Sequence, residues 1–326
     1  MNSPTRHTLA GLVTITLAAA LMGGAVSPAT AAPEQLRLSD LPKGDAPATP
    51  YVVDGALRDG AVSVDLPKGV TRFLGQVGDD YLVQGYSQKD DSEVVVRVTP
   101  DGTRTTVATS AAGLSDATLS ADGTSFAASQ STGKRTVLRR YDAATGDVTL
   151  KHKIEGYARI LDYDGAVAVV GGFGPTFTST WNLTDNSVEQ VVKQAGYAAD
   201  LATDRLARFT KDPYLGGCTV LSTLSKPKQT LWRSCDDAVE AFSPDGKHVA
   251  TTHILADGLG PGRFTLRKTT GKKLGVFDAP YYFGRIWFEN GSHVLADTFA
   301  KTKGAVVRCG SSGCERATPV FAHKAP

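Results

Sequence analysis

The sequence predicts an all-β chain folded as a single β-propeller of seven blades, with six as the alternative count. Each blade is expected to be a four-stranded antiparallel sheet. Three observations carry this expectation. First, Phe242-Ser243-Pro244-Asp245-Gly246-Lys247-His248-Val249-Ala250 reads as a strand end, a tight turn and a strand start. A second copy stands at Leu119-Ser120-Ala121-Asp122-Gly123-Thr124-Ser125-Phe126-Ala127, and its aspartate lies 123 residues earlier, three periods of 41. A fixed period of this size marks a repeat architecture. Second, two series of turns interleave along the chain. Third, the apolar runs between the turns are short and flanked by Gly, Asp and Asn, which favours strands over helices.

The first turn series falls at Asp79, Asp122, Asp164, Asp204, Asp245 and Asn290, in steps of 43, 42, 40, 41 and 45. The second centres near Asp59, Asp101, Thr145, Asp185, Pro227, Thr270 and Ser311, in steps of 42, 44, 40, 42, 43 and 41. Alternating strands connect them: Val148 and Leu150 share a face in Val148-Thr149-Leu150. Two hairpins per repeat make four strands, the content of one propeller blade. Six complete blades are read from about 69 to 321, preceded by a hairpin at 50–67 that needs partners, because two strands alone are marginal. Leu36-Arg37-Leu38 is a candidate extra strand. Both termini are expected to end on outer strands, which leaves the closure of the ring open.

Three regions are expected: a signal peptide at 1–31, an N-terminal segment at 32–49 and the propeller at 50–326. Arg6 begins the first region, Leu9 to Met22 is uncharged and apolar, and Ala29-Thr30-Ala31 is a small-x-small cleavage site. Those 14 residues are too few to span a bilayer, which takes about 20. The expectation is export after cleavage near Ala31, with no membrane insertion. The chain carries 35 basic and 33 acidic residues. So balanced a charge gives no footprint for nucleic acid or an anionic surface.

The four cysteines, Cys218, Cys235, Cys309 and Cys314, all lie in the exported part. Cys218 and Cys235 stand nine before and eight after Pro227, so antiparallel pairing sets them nearly opposite. Cys309 and Cys314 flank Gly-Ser-Ser-Gly. The expected bonds are 218–235 and 309–314, each stapling an outer hairpin. No paired C-x-x-C spacing or nearby His suggests a metal there, and neither metal nor cofactor is expected.

The Phe242–Ala250 motif resembles the WD40-like (PD40) repeat of the TolB-type β-propellers, in which Ser-Pro-Asp-Gly is followed by a basic or polar residue and an apolar strand. Leu119–Ala127 is a fair match, and elsewhere the resemblance rests on spacing. It implies a propeller with this turn between its inner strands and little about activity. The chain departs from TolB in having no room for a preceding α/β domain. It departs from the related peptidases in lacking G-x-S-x-G.

His248 and His293 occupy equivalent repeat positions and read as solvated strand starts. Asp162-Tyr163-Asp164-Gly165 begins like a calcium loop but lacks the later ligands. The candidate ligand-binding residues are aromatic: Tyr157, Tyr197, Tyr214, Tyr282 and Phe283. Gly156-Tyr157-Ala158 and Gly196-Tyr197-Ala198 recur 40 residues apart, and Tyr281-Tyr282-Phe283 holds the same place in the last blade. These lead-in segments share a rim with Gly172–Pro175, Asp212–Tyr214 and Leu255–Arg263. Rings on one rim suit a protein, peptide or glycan partner; packing between blades is the competing use of the same residues. The expected function is an exported, monomeric, non-enzymatic binding module. The alternative is a lyase or hydrolase with Asp116, Arg159, Asp200, Glu240 and Arg285 gathered in the central funnel.

Overall fold

The computed structural model describes residues 32–114, 116–174 and 176–323; the expected signal peptide and Pro175 lie outside them. The fold is all-β, seven antiparallel blades in a ring. Blades 2 to 7 have four strands each and begin with the innermost strands Val70–Val77, Thr118–Leu119, Tyr157–Tyr163, Gly196–Asp200, Asp237–Phe242 and Tyr282–Phe288. Blade 1 has three: Tyr51–Val53, Ala56–Asp59 and Val62–Asp65. The expected hairpin at 50–67 is therefore a blade of its own, which makes the count seven.

Side-chain chemistry explains the repeated turn. In Ser243-Pro244-Asp245-Gly246, the Ser243 hydroxyl donates to Asp245 Oδ1 at 2.7 Å, Lys247 N donates to the same oxygen at 3.1 Å, and His248 N donates to Ser243 Oγ at 2.9 Å. Ser120, Asp122, Thr124 and Ser125 repeat the pattern at 2.6, 3.0 and 3.1 Å. Gly246 and Gly123 have φ of 64° and 69°, conformations that suit glycine. A Cβ on Gly246 would also lie 2.7 Å from Thr203, and one on Gly123 would lie 2.4 Å from the Gln76 carbonyl. Each of these turns thus fits directly against the preceding blade.

The core lies between blades rather than within one. Phe126 and Tyr141 stack at 4.6 Å in the cluster shared by blades 2 and 3. Trp181 is fully buried in the cluster shared by blades 3 and 4. Phe264, Phe277 and Phe283 fill the seam between blades 6 and 7. Both expected disulfides are present, each within an outer hairpin: Cys218–Cys235 in blade 5 and Cys309–Cys314 in blade 7. Two such bonds suit an oxidising, extracellular environment. No helix among the described residues is long and apolar enough to cross a membrane.

Blades 1 and 7 close the ring without sharing a strand. Tyr51 of blade 1 packs directly on Leu295, Val306 and Ala317 of blade 7. The N-terminal segment lies across blades 6 and 7. Glu34–Gln35 adds parallel to the outer strand of blade 6, and Leu36 and Leu38 are buried in the blade 6–7 core. The extra strand thus lies just before the expected Leu36-Arg37-Leu38, whose leucines serve as anchors. Further on, Lys43 bridges Arg316 of blade 7, and Arg308 binds the carbonyls of Asp45 and Ala46. Residues 34–46 form a strap across blades 6 and 7 that delivers the chain into blade 1. At the other end, Phe321–Ala322 pairs with Lys303–Gly310, the third strand of blade 7.

Candidate functional site

Exposed apolar side chains concentrate on one rim. Among the described residues, ten large hydrophobic residues are exposed, and eight of them lie at loops joining second to third strands or leading into innermost strands. These are Tyr86, Tyr157, Phe173, Tyr214, Leu215, Leu255, Leu259 and Tyr281; the other two, Val148 and Val188, start outer strands. Isolated exposed hydrophobics need no explanation, but a concentration on one face does.

The five expected site residues divide. Tyr214 is 68% exposed on a single 3-10 turn, Pro213–Leu215, which Asp212 caps by accepting from Tyr214 N at 2.9 Å. Its hydroxyl faces Asp257 of blade 6 at 3.3 Å. Tyr157 is 49% exposed and lies 6.0 Å from Phe173. Tyr282 is half-buried, stacked on Phe299 at 4.8 Å with His323 at its hydroxyl. Phe283 is fully buried in the blade 6–7 core, so the structure corrects its placement on the rim. Tyr197 is corrected likewise. Its ring stacks on Phe209 at 4.0 Å, and its hydroxyl sits 2.9 Å from Thr219 Oγ1 while accepting from Val239 N of blade 6 at 2.9 Å. Burial pushes the phenol pKa up. Tyr197 is a tie between blades 5 and 6.

Between the loops of blades 4, 5 and 6 lies a groove of about 650 Å³. Phe173, Phe209, Tyr214 and Ile254 give it an aromatic and aliphatic lining, and Lys193 and Lys211 border it. The sequence places Phe173 in one of the rim loops, but Phe209 and Ile254 were not foreseen. An exposed ring beside an exposed ring, in a loop rich in Gly and Pro, was the available signal for Phe173.

A second concavity runs along the ring axis. Two adjoining cavities of about 840 and 490 Å³ share Arg72, Glu240 and Ala241. Asp116, Arg159, Asp200 and Glu240 line the smaller, and Glu240 and Arg285 line the larger. All five funnel residues expected from the sequence therefore face the axis, together with Arg72, Asp162 and Asp297, which were not foreseen. Several of the carboxylates brace neighbouring blades. Asp116 accepts from Ile160 N of blade 4 at 2.6 Å and from Ser129 Oγ at 2.5 Å. One blade on, Asp162 accepts from Leu201 N at 2.6 Å. Glu240 accepts from Thr252 at 3.2 Å, and Arg159 donates to the Tyr197 carbonyl at 2.7 Å.

Burial raises the pKa of Asp116, Asp162 and Glu240 and pushes Asp297 up to about 6, against the opposing pull of Arg285. The ordinary value for Asp297 is 3.8. Between 3.8 and 6 the folded chain keeps a proton that the unfolded chain has released. The group's full contribution to stability is therefore present below the lower value and lost as pH rises through the upper. The expected loss is roughly 2 kcal/mol, allowing for solvent that reaches the carboxyl through the channel. Melting curves across this range should show a decline in the parent chain that Asp297→Asn lacks. Superimposable curves for the two chains would refute the assignment.

No protein-family model matches the chain, and no curated protein matches it. Similarity appears among solved structures. The β-propeller domain of the Trilobed protease from Pyrococcus furiosus, described as having an open velcro topology, aligns with TM-score 0.57 and 11% identity, covering 83% of this chain and 94% of that one. Acylaminoacyl peptidase from Pyrococcus horikoshii aligns with TM-score 0.53 and 10% identity over 83% of this chain and 52% of its own. TolB from Acinetobacter baumannii aligns with TM-score 0.47 and 14% identity over 86% and 64%. The first two likenesses show a shared propeller fold; at such identity they carry no activity across.

Proposed function

We propose that this chain is an exported, non-enzymatic binding module of the TolB-type propeller kind, which holds an extended peptide or glycan chain on its aromatic rim. The observation that carries the reading is the gathering of exposed rings and aliphatic groups around the groove between blades 4 and 6. Rigid rings give contact area at low entropic cost, and the flanking lysines add polar contacts at the border. Tyr214 is positioned by the Asp212 cap before any partner arrives, so little ordering cost remains. The deeply braced channel carboxylates fit a structural duty better than a reacting one.

The test is a selection of displayed peptides, and a parallel oligosaccharide array, on the immobilised parent chain and on the Phe173→Ala/Tyr214→Ala double variant. Both positions are exposed, so folding should be unchanged. Ligands enriched on the parent should bind the variant at least about tenfold more weakly, the loss expected when two anchoring rings are removed. Equal retention by the variant would overturn the rim assignment.

A further inference from the structure

The larger axial cavity has a topological cause. Blades 2 to 7 each contribute an innermost strand, whereas the three strands of blade 1 begin at Tyr51–Val53, which packs on second and third strands of blade 7. Thr49 and Pro50 border the space left at the axis. Arg72 of blade 2 and Arg285 of blade 7, the inner strands on either side of blade 1, both line it.

The two guanidiniums line one cavity, and the charge of Arg285 disfavours that of Arg72. Glu240 and Asp297 border the same space, so the cavity presents paired charges of both signs to a ligand. Arg285 is held against Trp287 at 3.9 Å, and its buried Nε has no hydrogen-bond acceptor within the protein. A buried donor left without an acceptor is costly, so a ligand that satisfies it gains that energy back. Glu240 and Asp297 face the same cavity and offer acceptors for a hydroxyl or ammonium group, while Phe73, Ile286 and Trp287 offer an apolar wall. Mixed polar anchors on an apolar wall are the composition of a small-molecule site.

We propose that this cavity binds a small carboxylate bearing a hydroxyl or ammonium group, its carboxylate meeting Arg72 and Arg285 and its donor meeting Glu240 or Asp297. The site is separate from the rim groove and does not depend on it. Guanidinium forks match carboxylate geometry, which a chloride ion does not exploit.

The experiment titrates the full chain with L-malate, L-glutamate and propionate, each against sodium chloride at matched ionic strength, and reads tryptophan fluorescence and melting temperature. Malate, glutamate or both should change the fluorescence and raise the melting temperature by ~5 °C at a hundredfold excess over Kd. Which of the two acts tells the hydroxy acid from the amino acid. Both signals should vanish in Arg285→Gln. Should that variant not fold, Trp287→Phe decides: it should lose the fluorescence change yet keep the thermal shift. A response equal to chloride, a shift retained by folded Arg285→Gln, or a fluorescence change retained by Trp287→Phe would overturn the site. An equal response to propionate would overturn the part given to Glu240 and Asp297.

Discussion

Arg308→Ala is expected to destabilise the protein by about 3–5 kcal/mol, the range for removing one partner of a buried ion pair. Arg308 donates to both oxygens of Glu289 at 2.6 and 2.8 Å and to Glu315 at 2.6 Å. The remaining donor capacity goes to the carbonyls of Asp45 and Ala46 in the strap, both at 3.1 Å. The side chains of Arg308 and Glu289 are only 11% and 5% exposed. Truncation leaves a buried carboxylate uncompensated and frees the strap at once. Arg308→Lys cannot form the same fork and should fall between parent and Ala. The double change Arg308→Met/Glu289→Gln should recover part of the loss, since no charge is then stranded. Denaturant midpoints at constant slope read the effect. A loss below about 1 kcal/mol for the Ala variant would mean that the strap is not held through this residue.

Tyr197→Ala should cost about 3–5 kcal/mol, as expected for emptying a large buried site. Tyr197→Phe keeps the ring on Phe209 and loses only the hydroxyl, so about 1–3 kcal/mol is expected, chiefly because Val239 N is left unpaired. The Phe variant, which keeps the ring against the groove-lining Phe209, should leave ligands of the rim groove unaffected when measured below the melting transition. Thermal unfolding with a parallel binding assay separates the two effects. A Phe variant as stable as the parent, or one that loses rim binding while fully folded, would contradict the role of a tie between blades.

The contrast between Tyr157 and Tyr197 shows where sequence reading reaches its end. Both stand in Gly-Tyr-Ala at the start of an innermost strand, and spacing alone makes them equivalent. In blade 4, Tyr157 pairs with Gly174 and Ala158 with Gly172, so the extra residue is Phe173 on the second strand. In blade 5, Gly196 pairs with Arg208 and Ala198 with Ala207, so the extra residue is Tyr197 itself. A bulge re-aims side chains, and its position depends on the partner strand. One ring therefore faces out and the other in. Which strand carries a bulge is not written in either strand alone.

The turns were legible because they are local: Ser, Asp and Gly within five residues determine the hydrogen bonds. The disulfides followed from those turns. The strap was less legible because its one strand is two residues long and its partners are distant, leaving only the alternation of Leu36 and Leu38 as a hint. The first blade was legible as the hairpin at 50–67 and no further, for a similar reason. Its strands of three and four residues sit below the length at which alternation is distinctive. The funnel charges could be assigned to inner strands from the repeat. Their bracing hydrogen bonds could not, because these cross from one blade to the next.

A ring whose first and last blades share no strand imposes an order of assembly. The strands of each blade come from one unbroken stretch, apart from the two residues that the strap adds to blade 6, so a blade can form as soon as its own residues are available and its contact order stays low. The strap is the exception. Gln35 meets Asp278 across 243 positions, and Leu41 meets Arg316 across 275. During synthesis from the amino end, the strap is made before any blade yet is among the last segments to find its place, and the circle is locked only when the final two vanes exist.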